Sequence, residues 1–385
     1  MLRSAKFRSR ARARGSLPVL IAVSVAAFTL WPSPSARGDD FDIRSVFSSK
    51  LVAEGVATSD WLGQAVAISG NTAVVGAYFD DEKGDDAGAA YIFRRAGPRW
   101  TQLVKLTAGD GEMGDKYGYS VGISGDTVLI GAIEDDQKGG EAGAAYVYTD
   151  TSPAGDWSSR REVKLVASDG DDGDIFGWSV FLSGDRAIVG ARDDEDLGDR
   201  GGSAYILMDT SAEGDWTSVK QVKLLPSDGR SWDHFGWSVS MRGNAALVGS
   251  YGADEGASNC GAAYLFLDES EAKDWSSIGE IKLLPVDPTK EKEFGFSVSL
   301  SARAAIVGAD RDGPDGARTG AAYLFRDTSA ARNWSTTSQT KIRPTALKAD
   351  DAYGLSVGIS GRYAVVGAYM SDDRGDASGA AYIYA

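Results

Sequence analysis

One stretch, Phe176–Leu207 (FGWSVFLSGDRAIVGARDDEDLGDRGGSAYIL), recurs six times along the chain. A glycine after an aromatic residue falls at Gly118, Gly177, Gly236, Gly295 and Gly354, with Leu62-Gly63 as a degenerate first copy. A second glycine, in VGA-type motifs, follows at Gly76, Gly131, Gly190, Gly249, Gly308 and Gly367. A third, in GAAY-type motifs, comes at Gly88, Gly143, Gly202, Gly261, Gly320 and Gly379. Each copy is preceded by a Lys-Leu or Lys-Ile pair, at Lys50, Lys105, Lys164, Lys223, Lys282 and Lys341. The markers step by 55 residues once and then by 59 four times, so a fixed period constrains the fold before anything else does. A period of that size in a strand-rich sequence means stacked or radially arranged units.

Within one copy, Phe176, Trp178, Val180 and Leu182 alternate with smaller residues, the two-residue period of a strand. Gly184-Asp185 is a two-residue hairpin turn, repeated as Gly70-Asn71, Gly125-Asp126, Gly243-Asn244 and Gly361-Arg362, with Ala302-Arg303 as the exception. Arg186–Ala191 is apolar on both faces, Ser203–Leu207 forms a third strand, and a longer hairpin leads through Trp216 to a fourth that ends at Lys223-Leu224. Sheets apolar on both faces must be covered by other sheets. The expected fold is therefore all-β: a β-propeller of six four-stranded blades, with seven as the alternative count. The last copy stops at Ala385, after its third strand, while an unpaired Lys-Leu strand stands near Val46–Val52. The N-terminal strand is accordingly expected to complete the last blade and close the ring.

The ends set the compartment. Arg3, Lys6, Arg8, Arg10, Arg12 and Arg14 precede an apolar run, Leu17–Trp31, and a small-residue segment, Pro32–Gly38. That is the order of a secretory signal peptide. Residues 1–38 are read as the signal and 39–385 as one propeller domain, periplasmic, surface-bound or extracellular, monomeric, and without a membrane span in the mature chain. Residues 1–38 carry seven of the 40 Lys+Arg and none of the 55 Asp+Glu, leaving 33 against 55 and a formal charge of −22. Such a chain is not expected to bind nucleic acid through its phosphates. Cys260 is the only cysteine, so no intramolecular disulfide can form, and a small buried hydrophobe is its expected role.

The succession FGxSV, VGA and GAAYxF resembles the FG-GAP repeat of integrin α-subunit propellers and their bacterial relatives, over essentially all of the mature chain. The resemblance implies a propeller and, by analogy, adhesion or another binding role. Integrin-type propellers have seven blades, whereas six copies are countable here. Calcium-binding members carry a D-x-D/N-x-D-G loop between the first two strands. Here that connection is a tight Ser-Gly-Asp/Asn turn with no room for a cage of oxygen ligands, so no calcium position carries over.

In a four-strand meander, the loops joining strands two and three share a face with the inter-blade loops. Those two sets hold 38 of the 55 acids, so one face is expected to be strongly acidic. Asp169, Asp171, Asp172 and Asp174 form the densest inter-blade cluster and are the candidate metal ligands, with Ca²⁺ as the cation. Asp135, Asp136, Asp193, Asp194 and Asp196 are candidates for contact with a protein partner. Solubilising loops with Asp/Gly turn chemistry explain the same residues without any ligand.

A further motif recurs at Asp150–Trp157, Asp209–Trp216, Asp268–Trp275 and Asp327–Trp334. An Asp or Ser side chain closing a local turn, with Trp packed on the sheet, accounts for it. If exposed, those tryptophans, with Trp100, would form platforms for a glycan. His234 is the only histidine, so neither a repeated Ser-His-Asp arrangement nor a multi-His metal site is available. The leading expectation is an exported, non-enzymatic binding propeller that presents its acidic face to a protein or a divalent cation. A lectin-like propeller using the repeated tryptophans and a carboxylate-dependent glycosidase are the alternatives.

Overall fold

The computed structural model describes residues 50–313, 317–372 and 375–385. The expected signal peptide, residues 1–38, lies outside them. No helix is found among the described residues, and none is therefore long and apolar enough to cross a membrane. Twenty-three strands form six antiparallel sheets, each running in sequence order from one edge to the other. The first strands of successive blades pack side by side around a common axis, so the chain is a six-bladed β-propeller.

Blade three shows the plan. Its strands are Phe176–Ser183, Arg186–Ala191, Ser203–Asp209 and Val219–Leu224. Gly184 has φ of 63° while Asp185 does not enter the positive region, the pattern of a hairpin turn with glycine first. The Ala302-Arg303 exception is visible too: the first strand of blade five is short, Ser297–Leu300, and its turn lacks the glycine. In the first strand of blade three the pairing jumps from Ser179 to Phe176 opposite Gly190 and Ala191. Gly177 and Trp178 are thus a bulge, and the same jump occurs in blades two, four and six. A bulge bends a strand and re-aims a side chain.

That bulge brings the blades together. A methyl group placed on Gly190 would lie 2.0 Å from the carbonyl oxygen of Gly236 in the next blade. Gly76, Gly131, Gly249 and Gly308 make the same approach to Gly118, Gly177, Gly295 and Gly354. Ser179 Oγ donates to the Gly236 carbonyl at 2.8 Å, and Ser120, Ser238 and Ser297 repeat the bond. The GAAY glycine closes the contact from the other side: Gly143 pairs with Phe176, and Phe176 N–H donates to Ala142 at 2.9 Å. Five apolar clusters fill the spaces between successive blades, such as Ile188, Ile206, Val239 and Val248 between blades three and four.

Blades six and one meet differently. A methyl on Gly367 would touch only Ser356 of its own blade, and one on Gly63 would touch nothing within 4 Å. Tyr363 and Ile383, on the face of blade six that would look toward blade one, are 40% and 56% exposed, whereas Ile188 and Ile206 are fully buried. Residues 46–49 of the expected closing strand lie outside the described residues. Its remainder, Lys50–Val52, forms no strand, and the last sheet has three strands, Tyr353–Ser360, Tyr363–Ala368 and Ala380–Tyr384. The described part of the N-terminal segment packs on blade one as the inter-blade loops pack on the blade that follows them. Glu54 N–H donates to Gln102 Oε1 at 2.7 Å, as Ser168 N–H does to Gln221 at 2.6 Å. Leu51, Ala53, Val56 and Leu62 pack over Val75, Tyr91 and Phe93. Among the described residues, no glycine junction joins the last blade to the first.

The difference between these junctions can be tested with one pair of variants. Gly190→Ala drives a methyl into a neighbouring carbonyl and should cost about 1–3 kcal/mol of unfolding free energy. Gly367→Ala faces only a rotatable serine hydroxyl and should melt closer to the wild type. Equal losses in thermal denaturation would show that blade six is covered as tightly as the others.

Candidate functional site

Positions that repeat in every blade are occupied by the fold itself. The Lys of each Lys-Leu pair reaches an acid in the loop after strand two: Lys105 to Asp80, Lys164 to Asp135, Lys223 to Asp194 and Lys341 to Asp312, all at 2.7–2.8 Å, and Lys282 to Glu255. The same lysines, from Lys164 onward, hold an acid of the inter-blade loop, namely Asp110, Asp169, Asp228 and Asp287. The GAAY tyrosine hydroxyl sits between the pair: Tyr205 Oη lies 2.9 Å from Asp169 Oδ1 and 3.0 Å from Asp194 Oδ2, and its one proton can serve either. Lysine and tyrosine thus tie the two acidic loop sets together, with the lysine offsetting part of their charge. The signal was present in the sequence, as Lys, Tyr and Asp in phase, but only the sheet shows that they converge.

The candidate ligands and contacts fall largely into this framework. Asp135 and Asp194 are buried within it. Asp169 and Asp196 both accept from Lys223. Asp174 is buried and caps its turn by accepting from the N–H of Asp171 at 2.9 Å. Asp171 Oδ1 accepts from Asp172 N–H, and Asp172 Oδ1 from Gly140 N–H of the preceding blade. Asp136 accepts from Glu141 N–H within its loop. Asp193 is hydrogen-bonded to His234 Nδ1 at 2.9 Å. Among the described residues, no three carboxylate, histidine or cysteine groups gather where they could hold a metal ion.

The repeated tryptophans are buried. Trp157, Trp216, Trp275 and Trp334 are at most 5% exposed, and Trp100 is half-buried against blade one. Each sits behind an Asp turn: Asp150 accepts from Ser152 N–H and Oγ, and Trp157 N–H points back at Asp150 and Ser152. The expected turn role is what the geometry shows, and a glycan cannot stack on rings enclosed in the sheet. The lectin-like alternative through these residues is thereby corrected.

Variation is concentrated elsewhere, at the axial mouth of the acidic face. The residue before each aromatic-Gly pair is Trp61, Lys116, Ile175, His234, Glu293 or Ala352, every one at φ of 50–57°. Each is pinned by hydrogen bonds to its neighbours, as Ile175 N–H to Glu141 and His234 N–H to Arg200. Bulky side chains held at positive φ cost of order 1–3 kcal/mol each and persist only where the surroundings impose them. The bulge aims Tyr119, Trp178 and Trp237 at the same mouth, where they join Tyr78, Ile133 and Ile175 in one cluster. Arg192, in the position held elsewhere by Tyr78, Ile133 and Tyr251, lies 3.5 Å from the centre of the Trp178 ring and 5.0 Å from that of Trp237. His234 stacks on Tyr251 with ring centres 5.1 Å apart. Across the mouth Glu293 pairs with Arg311, and Asp310 with Arg318. Trp61 and Trp232, 43% and 51% exposed, stand at the rim. A cavity of about 550 Å³ opens here, between blades one and three. Nothing in a single copy of the repeat marked these residues, because they are the places where the copies disagree.

Burial also sets how stability responds to pH. Asp115, Asp174 and Asp233 are each pushed up to about 6, chiefly by burial, with backbone hydrogen bonds opposing. A folded-state value above the ordinary 3.8 means that these acids favour folding when protonated. Their contribution is complete below about pH 4 and is lost as pH rises through about 6. Asp287 runs the other way: burial would raise it, but Lys341, Lys292 and Tyr323 hold it at about 2, so its contribution is present above pH 4 and lost toward pH 2. Asp174→Asn keeps the turn acceptor and should flatten the fall in melting temperature between pH 4 and 6. An unchanged slope would contradict the assignment. Because the loop acids are engaged with lysine, tyrosine and backbone N–H groups, millimolar Ca²⁺ should leave the melting temperature unmoved; a cation bound only by the folded state would raise it.

Six segments match the FG-GAP repeat family: residues 46–93, 100–148, 159–207, 218–266, 279–325 and 336–384. No curated protein matches the chain. The six matched segments follow the six sequence copies and are offset from the blades by one strand: from the second segment on, each runs from the Lys-Leu or Lys-Ile strand of one sheet to the third strand of the next, and the first ends in the third strand of the first sheet. On repeat, register and fold alike, the chain belongs to the FG-GAP repeat family.

Proposed function

We propose that this protein is an exported, non-enzymatic binding propeller that receives a protein partner on its acidic loop face, with the contact centred on the axial mouth. A propeller of this family is compatible with a binding role. One observation supports the place: residues shared by all blades are consumed in holding the blades, whereas the mouth collects side chains that differ from blade to blade. The exposed Trp61 and Trp232 stand there at positive φ, over the largely buried rings of Tyr78, Tyr119, Trp178 and Trp237. Rigidly supported aromatic and arginine side chains are what binding surfaces use as anchors. The acids left at the rim, such as Glu141, Asp172, Glu195 and Asp199, are exposed and give the face its field. Their attraction is screened over roughly 8 Å at physiological salt, so they steer a basic partner rather than hold it.

The test compares two faces. Neutralising Glu141, Asp172, Glu195 and Asp199 to Gln or Asn should reduce capture on an array of extracellular proteins by about tenfold and weaken its dependence on salt. Neutralising Asp126 and Asp185, in hairpin turns on the opposite face, should leave capture unchanged. The reverse pattern would move the function off the acidic face.

A further inference from the structure

The mouth cavity has a chemistry more specific than its acidic setting. Its floor carries Arg192, whose guanidinium makes no hydrogen bond among the described residues. The Nε–H is buried without a partner, and Asp193, bonded to His234 through Oδ1, faces Arg192 only as a long ion pair through Oδ2 at 3.6 Å. A largely buried guanidinium pressed on a tryptophan face is an expensive group to leave without acceptors. Its fork matches the two oxygens of a carboxylate. Arg200 lines the same cavity, exposed and stacked 5.1 Å from the ring centre of Trp232. Opposite lies an apolar wall that includes Trp61, Tyr78, Phe79 and Tyr119. Trp61 meets Phe79 edge-on at 5.0 Å.

The surroundings then restrict the charge of the guest. Lys116, Arg192 and Arg200 face six carboxylates around the cavity, two of them, Glu134 and Asp193, occupied by Lys116 and His234. A polyanion would be repelled by the rim, and a neutral guest would leave Arg192 unsatisfied. One carboxylate flanked by cationic groups satisfies both.

We propose that this cavity is a peptide site that takes a carboxylate on Arg192 and Arg200, an adjoining apolar side chain on the Trp61–Tyr119 wall, and basic residues on the rim acids. The inference rests on the mouth being the binding surface and adds the class of ligand. The carboxylate can come from a chain terminus or from an aspartate side chain, and the probes separate the two.

Calorimetric titration of the intact protein would use four probes: acetyl-Lys-Lys-Phe as the free acid, the same peptide as its C-terminal amide, acetyl-Lys-Asp-Phe-Lys amide, and trigalacturonate as a polyanion. At least one carboxylate-bearing peptide should bind about tenfold or more tighter than the Lys-Lys-Phe amide, and trigalacturonate should be weakest. Binding of the free acid alone identifies a terminus, and binding of the aspartate peptide identifies a side chain. Arg192→Gln should erase the preference, and Arg192→Lys should restore it only in part, because charge returns without the fork. Arg200→Gln, at an exposed position that does not hold the fold, should weaken the same peptide by several-fold with an unchanged melting temperature. Equal binding of acid and amide, tighter binding of trigalacturonate, or no binding by any probe would overturn the proposal. If the amide binds as well as the acid and binding is lost only when the rim acids are neutralised, the mouth remains the binding surface and only the carboxylate assignment fails.

Discussion

The fold depends on how closely two backbones can approach. At each of the five junctions between successive blades, a glycine in strand two lies against the carbonyl of a glycine in the next blade's bulge, closer than any side chain allows. Three requirements meet there. The VGA glycine must lack a Cβ, the bulge glycine must adopt positive φ, near 95° in Gly177, and at four of the five junctions a serine of the blade that carries the VGA glycine donates to the bulge carbonyl, as Ser179 does to that of Gly236. The apolar clusters add most of the burial, but they are non-directional. The glycine junction gives the blades their spacing, and the aromatic residue before it docks in the gap that the spacing leaves.

With the blades set, charge is arranged by distance from the sheets. Acids near the strand ends are drawn inward by the Lys-Leu lysine and the GAAY tyrosine, as Asp194 is by Lys223 and Tyr205. Breaking such a buried pair costs far more than breaking an exposed one, because the survivor keeps its desolvation penalty. Acids farther out remain in water and define the field. The acidic face is therefore two populations, one structural and one free. The mouth adds a third chemistry: aromatic rings, Arg192 and a buried carboxylate pair, in which burial and the neighbouring Asp310 push Glu293 up to about 7.

Much of this was legible in the residues. Periodicity located the blades, alternation located the strands, and Gly-Asp pairs located the hairpins, because each is a local requirement of backbone geometry. The Asp-Ser turn before Trp157 was legible for the same reason. The candidate acids were legible as a cluster but not as individuals. Composition places Asp135 and Asp172 together, while the sheet buries one against Lys164 and leaves the other exposed. Arg192 and His234 were not legible at all as neighbours. They lie in different copies, and only the docking of blade four on blade three brings Asp193, His234 and Arg192 together.

By itself, then, the sequence determined an all-β repeat of six in-phase units and the turns between strands. These follow from φ/ψ preferences, side-chain alternation and counting, and all of them act over a few residues. Tertiary structure decided what depends on distance between copies: which acids are spent on the fold, which tryptophans are enclosed, and which side chains meet at the axis. Each glycine junction sets the relation of one blade to the next, and no copy of the repeat encodes how the first and last must meet. Lys50–Glu54 lie along blade one, held by Gln102 and the apolar face around Tyr91.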